Sequence, residues 1–310
     1  MTELADALAA TRQRFLDLVA EVRPELHRYC TRMTGSVFDG EDVVQDTLAK
    51  AAYALASMQS PPPLRPWLFR IAHNTALDFL RRYEQRHVVA RGDIDQMTES
   101  LSHLGHDPPS ADADRVELAL EVFSALPAVQ RSALAFKDVL DLSLEDTAAA
   151  MSTSVSAVKA ALVRARANVA RPARSSQTAA RTTPATDLDR LRRYAASFNA
   201  RDWDALRALF DQETELEVVS RVQRRGPSAA EYYTRYAELA PLEDLRLEVG
   251  RVDGVALIAV YRPAASPRPA YFIQLEWQGE HIQRARDYRY VPYIADEAQF
   301  APEASAPAAG

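Results

Sequence analysis

The sequence contains a single cysteine, Cys30, which excludes an intrachain disulfide and favours a reducing, cytoplasmic location. Its six histidines are scattered without metal-ligand spacing, so we expect no metal site and no other cofactor. No stretch approaches the roughly 20 unbroken apolar residues of a membrane helix. The N-terminus also lacks an apolar signal-peptide core, so we expect no contact with a membrane.

The formal net charge of −6 argues against a protein that coats nucleic acid without specificity. Basic residues are nevertheless concentrated in two segments. Residues 65–86 contain five arginines against two acids, and residues 155–174 contain five basic residues and no acid. One such segment alone would usually be a solvated helix face, but two predict two confined contact surfaces for phosphate.

Composition divides the chain into helical blocks, polar linkers and a later β-rich block. The strand candidates LRLEVGRV, VALIAVYR and YFIQLEW are enriched in β-branched and aromatic residues. Helices precede these strands instead of alternating with them, so we expect two all-α helical domains followed by an α+β domain, and no doubly wound sheet. The predicted boundaries are a helical domain at 1–86, a linker at 87–116, a helical domain at 117–172, a linker at 173–186, an α+β domain at 187–294 and a disordered tail at 295–310.

Residues 144–169 have the pattern of a helix-turn-helix. Ala148 is small enough for the helix crossing, and Ser152 occupies the turn in a left-handed conformation that costs about 1 kcal/mol. Ser154 can cap the second helix. Basic side chains lie off the core-facing stripe of that helix or at its edge, namely Lys159, Arg164 and Arg166. By itself this pattern fits DNA binding and a plain helical hairpin equally well.

Two earlier helices carry polar faces. Asp42, Gln45 and Asp46 fall outside the buried face of the first helix and form an acidic and amide patch. This patch suits a basic partner surface, or it is only solvated. The second helix carries a polar stripe in which Asn and Arg occur together, and such a stripe can pair with base edges as well as phosphate. Its members include Arg70, His73, Asn74, Asp78, Arg81, Arg82 and Gln85.

Three segments together resemble regions two and four of the extracytoplasmic-function sigma factors of the sigma-70 family. They are EDVVQDTLAKAAYAL, PWLFRIAHNTALDFLRR and ALPAVQRSALAFKDVLDLSLEDTAAAMSTSVSAVKAALVRARANV, within residues 11–171. The resemblance implies a sigma factor, not an enzyme, that binds core RNA polymerase and directs promoter-specific transcription initiation.

The resemblance also implies residue roles. Asp42, Gln45 and Asp46 match the surface that docks on the clamp helices of the polymerase largest subunit. The helix that melts and reads the −10 element would use Arg70, Asn74, Asp78, Arg81 and Arg82. The helix that reads the −35 element would use Ser154, Lys159, Arg164 and Arg166. The loop at Met58–Arg65 would capture a flipped base, and the acidic linker would thread the RNA exit path.

One departure concerns base readout. Ala160 and Ala161 stand where family members often carry a polar or basic pair. We therefore expect promoter specificity to depend more on backbone contacts and DNA shape than on direct base contacts.

Residues 187–294 resemble the SnoaL-like fold. The segments that carry this resemblance are LRRYAASFNARDWDALRALF, ETELEVV and the later strands ending in RDYRYVPY. The resemblance implies a cone that could bind a small molecule. The predicted lining includes Tyr232, Tyr271, Gln274, Trp277, Arg286, Asp287 and Tyr288, although aromatics on alternating strand positions are more often core.

Asp287 or His281 could act as a general base, but no second catalytic group is evident. We expect no catalytic residues and a domain that regulates the sigma regions in cis by intramolecular contact. Two alternatives remain at this stage. One is a SnoaL-like small-molecule-binding or cyclase-type enzyme with a regulatory DNA-binding half. The other is a helix-turn-helix repressor that never binds polymerase.

Overall fold

The computed structural model describes residues 19–58, 62–90, 126–169, 185–232 and 244–303. The chain divides into two compact units, Met1–Thr178 and Ala179–Gly310. Within the described ranges, no helix is long and apolar enough to cross a membrane, and no group of His, Cys, Asp and Glu residues could hold a metal ion.

The first unit is built from helices. These are α1 (19–34), α2 (Val37–Ser57), α3 (Leu64–Ala90), α4 (Ala128–Leu134), which continues as a π-helical turn (Ala135–Val139), α5 (Leu144–Ala150) and α6 (Val155–Val169). Ser36 caps α2, because its hydroxyl accepts a hydrogen bond from the backbone N–H of Asp39 at 3.3 Å. Thr31 and Gly40 bring α1 and α2 close together, since a Cβ at Gly40 would lie 2.6 Å from Thr31 Oγ1.

The helices before and after residues 91–125 share one apolar core. The ring of Phe136 stacks on Tyr29 at 4.2 Å between centroids and meets Phe69 edge-on at 5.8 Å. The buried guanidinium of Arg131 donates hydrogen bonds to the carbonyls of Met33 and Leu126. These contacts hold α4 and the π-helical turn against α1 and α3.

The second unit combines helices with one sheet. Its helices are α7 (Ala185–Asn199), α8 (Trp203–Arg207), α9 (227–232) and α10 (Tyr293–Glu297). Its strands are β1 (Glu215–Val218), β2 (Val222–Arg225), β3 (Arg246–Val252), β4 (Val255–Tyr261), β5 (Tyr271–Gln278), β6 (His281–Asp287) and β7 (Ala301–Pro302).

The sheet order is β2-β1-β6-β5-β4-β3-β7, with β1 and β6 parallel and the other pairs antiparallel. Helix α7 covers one face, where Leu191, Tyr194 and Phe198 join a core with Leu247 and Ile258. This arrangement confirms the predicted α+β character of the block and its three long strands.

The prediction of a disordered tail from residue 295 is wrong for residues 295–303. Residues up to Glu297 belong to α10, and β7 pairs with the edge of β3 through Gly250 and Pro302. The ring of Phe300 packs near Phe272 at 6.0 Å between centroids. A segment rich in alanine and proline shows no periodicity, so its order depends on partners that local sequence does not reveal. Residues 304–310 lie outside the described ranges.

Candidate nucleic-acid and protein interfaces

The turn between α5 and α6 has the geometry expected of a helix-turn-helix. Ser152 adopts a left-handed conformation with φ of 52°, as predicted for a turn position that glycine usually occupies. The N–H of Thr153 donates to the carbonyl of Ala148 at 2.9 Å and closes the first helix. Ser154 Oγ accepts from the N–H of Ala157 at 3.2 Å, which confirms the predicted cap of α6.

Helix α6 buries one face and exposes another. Val158, Ala161, Leu162 and Ala165 are buried, whereas Lys159, Arg164 and Arg166 are exposed. At about 100° of rotation per residue, Lys159 and Arg166 lie at one edge of the exposed face and Arg164 lies at the other. The centre of that face carries small or apolar side chains, including Val163, which is 68% exposed.

Arg166 is also part of an intramolecular ion pair. Its Nη2 lies 2.8 Å from Asp138 Oδ1 in the π-helical turn. The hydrogen bond to the Asp138 carboxylate raises the pKa of Arg166, which stays fully charged. Arg166 therefore links the helix-turn-helix to the π-helical turn that precedes it, as well as facing solvent.

Helix α3 carries the second cationic surface. Its five candidate −10 residues are all exposed: Arg70, Asn74, Asp78, Arg81 and Arg82. Arg81 Nη1 donates to Asp78 Oδ1 at 3.2 Å, and Arg82 Nε donates to the Asp78 carbonyl at 3.3 Å. Asp78 therefore contacts both arginines on this face.

The predicted polar stripe of α3 needs one correction. His73 is only 4% exposed and does not belong to the solvent-facing stripe. Its buried Nδ1 lies within hydrogen-bond distance of the hydroxyls of Tyr29 and Ser132. The side chain of Gln85 lies outside the described residues.

The acidic face of α2 lies next to this stripe. Asp42 and Gln45 are half-buried and Asp46 is exposed. Asp46 Oδ2 lies 4.0 Å from Arg82 Nη2, a loose and mostly solvated pair that contributes little stability. Gln45 Nε2 is buried without a hydrogen-bond partner among the described residues.

The loop between α2 and α3 is described at its two ends. Met58 is 41% exposed, residues 59–61 lie outside the described ranges, and Arg65 Nη2 donates to Glu25 Oε2 at 2.6 Å. The guanidinium of Arg65 also lies 5.5 Å from the centroid of the Phe69 ring. The end of the loop is therefore anchored to α1 and to the core.

The second unit encloses a cavity of about 10 Å³, which has room for about one water molecule. Seven side chains line it: Tyr194, Phe198, Leu216, Tyr232, Ile273, Ala285 and Asp287. Asp287 is buried and accepts hydrogen bonds from the Tyr232 hydroxyl at 2.6 Å and the Arg289 N–H at 2.9 Å.

Of the seven predicted pocket residues, the structure brings only Tyr232 and Asp287 to this cavity. In the pairing of β5 with β6, Ile273 lies opposite Asp287 and Gln274 lies opposite Arg286. Neighbouring positions of a strand point to opposite faces, so Asp287 faces the cavity while Gln274 and Arg286 face away from it. Arg286 Nε donates to Glu217 Oε2 at 3.0 Å on that other face.

Two aromatic members of the predicted pocket, Tyr271 and Trp277, belong to the core beneath α7 and do not line the cavity. Tyr288 donates to Gln274 Oε1 at 2.7 Å on the face turned away from the cavity. His281 is exposed at the opposite end of β6 from Asp287, with Nδ1 4.0 Å from Asp211 Oδ2. Asp287 and His281 therefore do not share a cavity.

Comparisons with known proteins identify the first unit. The family model Sigma-70 region 2 matches residues 18–86, and Sigma-70, region 4 matches residues 117–169. The RNA polymerase sigma factor NccH of Alcaligenes xylosoxydans xylosoxydans is 35% identical over 141 residues, which is 45% of this chain and 75% of NccH. The chain belongs to the sigma-70 family. Region 2 thus comprises α1 to α3, and region 4 comprises α4 to α6.

Two further sigma factors are similar to the chain. The ECF RNA polymerase sigma factor SigG of Mycobacterium tuberculosis is 34% identical over 219 residues, and the match covers 63% of this chain and 59% of the length of SigG. In the solved complex of the sigma factor RpoE with the anti-sigma factor NepR from Bartonella quintana, a chain is 25% identical with a TM-score of 0.39. That match covers 51% of this chain and 94% of the other.

Sequence pattern does not single out the residues that join region 4 to region 2. Arg131 and Ser132 are buried and reach Met33, Tyr29 and His73. The only sequence signal is a group of three polar residues, Gln130, Arg131 and Ser132, in the otherwise apolar run ALPAVQRSALAF. Such a pattern indicates a buried polar contact but does not identify the residues that make it.

Proposed function

We propose that this chain is a sigma factor that binds core RNA polymerase and directs promoter-specific transcription initiation. The observation that carries the proposal is the combination of three exposed surfaces on the sigma-70 regions. Region 2 has the acidic face of α2 and the cationic stripe of α3, and region 4 has the cationic edges of α6. A repressor would need only the last of these.

The acidic face of α2 is the proposed contact with polymerase. Asp42 and Asp46 offer carboxylates to a basic surface, and Gln45 has a buried amide N–H group without a partner among the described residues. We assign this face to the clamp helices of the largest subunit, as the family resemblance implies.

The proposed −10 surface is the exposed stripe of α3. Arg70, Arg81 and Arg82 supply positive charge for phosphate, and Asn74 can pair with a base edge.

The proposed −35 surface is α6, where Ser154, Lys159, Arg164 and Arg166 surround a small and apolar centre. This placement favours phosphate contacts and shape readout over polar base contacts.

The C-terminal unit is proposed to be SnoaL-like and to regulate the sigma regions in cis. Supporting features are the helices packed on one face of a seven-stranded sheet and the enclosed Tyr232–Asp287 pair. The small cavity and the separation of Asp287 from His281 favour a non-catalytic role. The acidic linker, proposed to follow the RNA exit path, lies outside the described residues apart from the end of α3.

Three comparisons test these assignments. First, Asp42→Ala with Asp46→Ala should weaken association with core polymerase, and Glu145→Ala, at an exposed carboxylate of α5 in region 4, should not. Second, Arg81→Ala with Arg82→Ala should impair open-complex formation, with Arg28→Ala on α1 as the matched arginine control.

Third, the full chain and a chain ending near Arg181 should differ in promoter-dependent transcription. Equal activity of those two chains would refute regulation in cis.

A further inference from the structure

Tyr53 on α2 is the most exposed of the large hydrophobic side chains in the described ranges, at 85%. It does not pack on the region 2 core, which α2 reaches through Val43, Val44 and Ala51. A single exposed aromatic residue is ordinary on a protein surface. Tyr53 is different because it lies in line with the acidic face of α2.

Tyr53 continues the acidic face along the helix. Asp42, Asp46, Ala49 and Tyr53 follow one another at intervals of three or four residues, and such positions lie on one side of a helix. At 1.5 Å per residue, Tyr53 lies about 10 Å beyond Asp46 along the axis. The stripe therefore has carboxylates at one end and an exposed phenol ring at the other.

The surface between the two ends is suited to close contact. Ala49 is exposed between Asp46 and Tyr53. Lys50, the exposed long side chain three residues before Tyr53, is turned towards α3, where its Nζ donates to Thr75 Oγ1 at 3.1 Å. Large aromatic side chains beside small neighbours supply much of the binding energy in protein interfaces, because the ring loses contact with water at little cost in side-chain entropy. Charged pairs at the rim mainly orient the partner and speed association.

We propose that Tyr53 is the apolar anchor of the surface through which this chain docks on core RNA polymerase. The partner is a helical surface of the polymerase with basic side chains opposite Asp42 and Asp46 and an apolar recess about 10 Å further along. The inference rests on the proposed function, since it extends the same docking surface. It adds a residue that neither charge nor the family resemblance assigns.

The test measures the affinity of full-length chains for purified core polymerase at several salt concentrations. Tyr53→Ala should weaken binding by at least about tenfold while leaving the salt dependence unchanged. Tyr53→Phe should bind like the parent chain, because the ring and not the hydroxyl fills the recess. Asp46→Asn should weaken binding and reduce its salt dependence. Val129→Ala, a change at a 54% exposed apolar side chain of region 4, is the matched control.

The outcomes separate the two proposals. Failure of the parent chain to bind core polymerase would overturn the proposed function itself. Normal binding by Tyr53→Ala, with weaker binding by Asp46→Asn, would overturn only the role of Tyr53. A Tyr53→Phe variant as weak as Tyr53→Ala would refute an apolar anchor, because it would show that the hydroxyl makes the contact.

Discussion

The hydroxyl of Tyr29 lies 2.9 Å from Nδ1 of His73, in the interior of the helical unit. The hydroxyl of Ser132 lies 3.1 Å from the same nitrogen and 3.2 Å from the Tyr29 oxygen. Because the three residues come from α1, α3 and α4, this cluster joins region 2 to region 4. Burial raises the pKa of Tyr29 and lowers the pKa of His73 to about 4, so both groups are neutral at pH 7.

Acid is expected to destabilise the helical unit through His73. An unfolded histidine has a pKa of about 6.5, so between that value and about 4 the unfolded chain binds more protons than the folded one. The stabilisation contributed by the buried neutral His73 is complete above the pKa of the unfolded histidine. It is lost as the pH falls towards the pKa of His73 in the folded chain. From pH 7 to pH 5 the loss in free energy of unfolding should be about 2 kcal/mol.

Urea unfolding can measure this loss. Trp203→Phe with Trp277→Phe leaves Trp67, a buried side chain of region 2, as the only tryptophan and therefore as a local fluorescence probe. In that background, adding His73→Asn should reduce the difference between pH 7 and pH 5 by about 2 kcal/mol. An equal loss in both chains would assign the acid sensitivity to other groups.

Ser152→Gly should stabilise the helix-turn-helix. Ser152 has φ of 52°, where a side chain costs roughly 1 kcal/mol relative to glycine. The same urea titration should show a gain of that size. Thr153→Gly, at the next exposed position, is the control and should bring no gain, because Thr153 does not have a positive φ.

The cations at the edges of α6 should control the salt dependence of promoter binding. If Lys159 and Arg164 each neutralise one phosphate, each alanine substitution should reduce the slope of log affinity against log salt by about 0.9. The measurement is a salt titration of polymerase loaded with each variant on a promoter duplex. Arg192→Ala, whose side chain is 42% exposed in the second unit, should leave the slope unchanged. An unchanged slope for both α6 variants would show that Lys159 and Arg164 do not contact DNA phosphates.

Gly250→Ala should detach the C-terminal strand from the sheet. A Cβ at Gly250 would collide with the Phe300 ring and with the Ala301 carbonyl, so the end of the chain would have to move. We expect a cost of about 1–3 kcal/mol in the stability of the second unit, measured by thermal unfolding. In a chain ending at Gln299 the same substitution should cost much less. An equal cost in both backgrounds would show that the clash lies elsewhere.

The sequence predicted what depends on local pattern. The helix-turn-helix, its left-handed Ser152 and its Ser154 cap all follow from periodicity and turn chemistry. The α+β character of the last block followed from strand composition. Each of these features is decided by residues close together in the chain.

Features that depend on distant partners could not be predicted in this way. His73 has helical spacing with exposed residues but is buried, because Tyr29 and Ser132 supply its hydrogen bonds. The predicted pocket failed to converge for two reasons. Strand alternation turns Arg286 away from its neighbour Asp287, and strand register, which sequence alone does not set, pairs Gln274 with Arg286.

The exposed faces of regions 2 and 4 are proposed to recruit polymerase to promoters. The most direct measurement is run-off transcription from linear promoter DNA by purified core polymerase, with and without the full-length chain. The chain should produce a defined transcript that core enzyme alone does not make, and Arg81→Ala with Arg82→Ala should reduce it sharply. Absence of any chain-dependent transcript across a library of genomic promoter fragments, from core enzyme that is active with another sigma factor, would contradict the account.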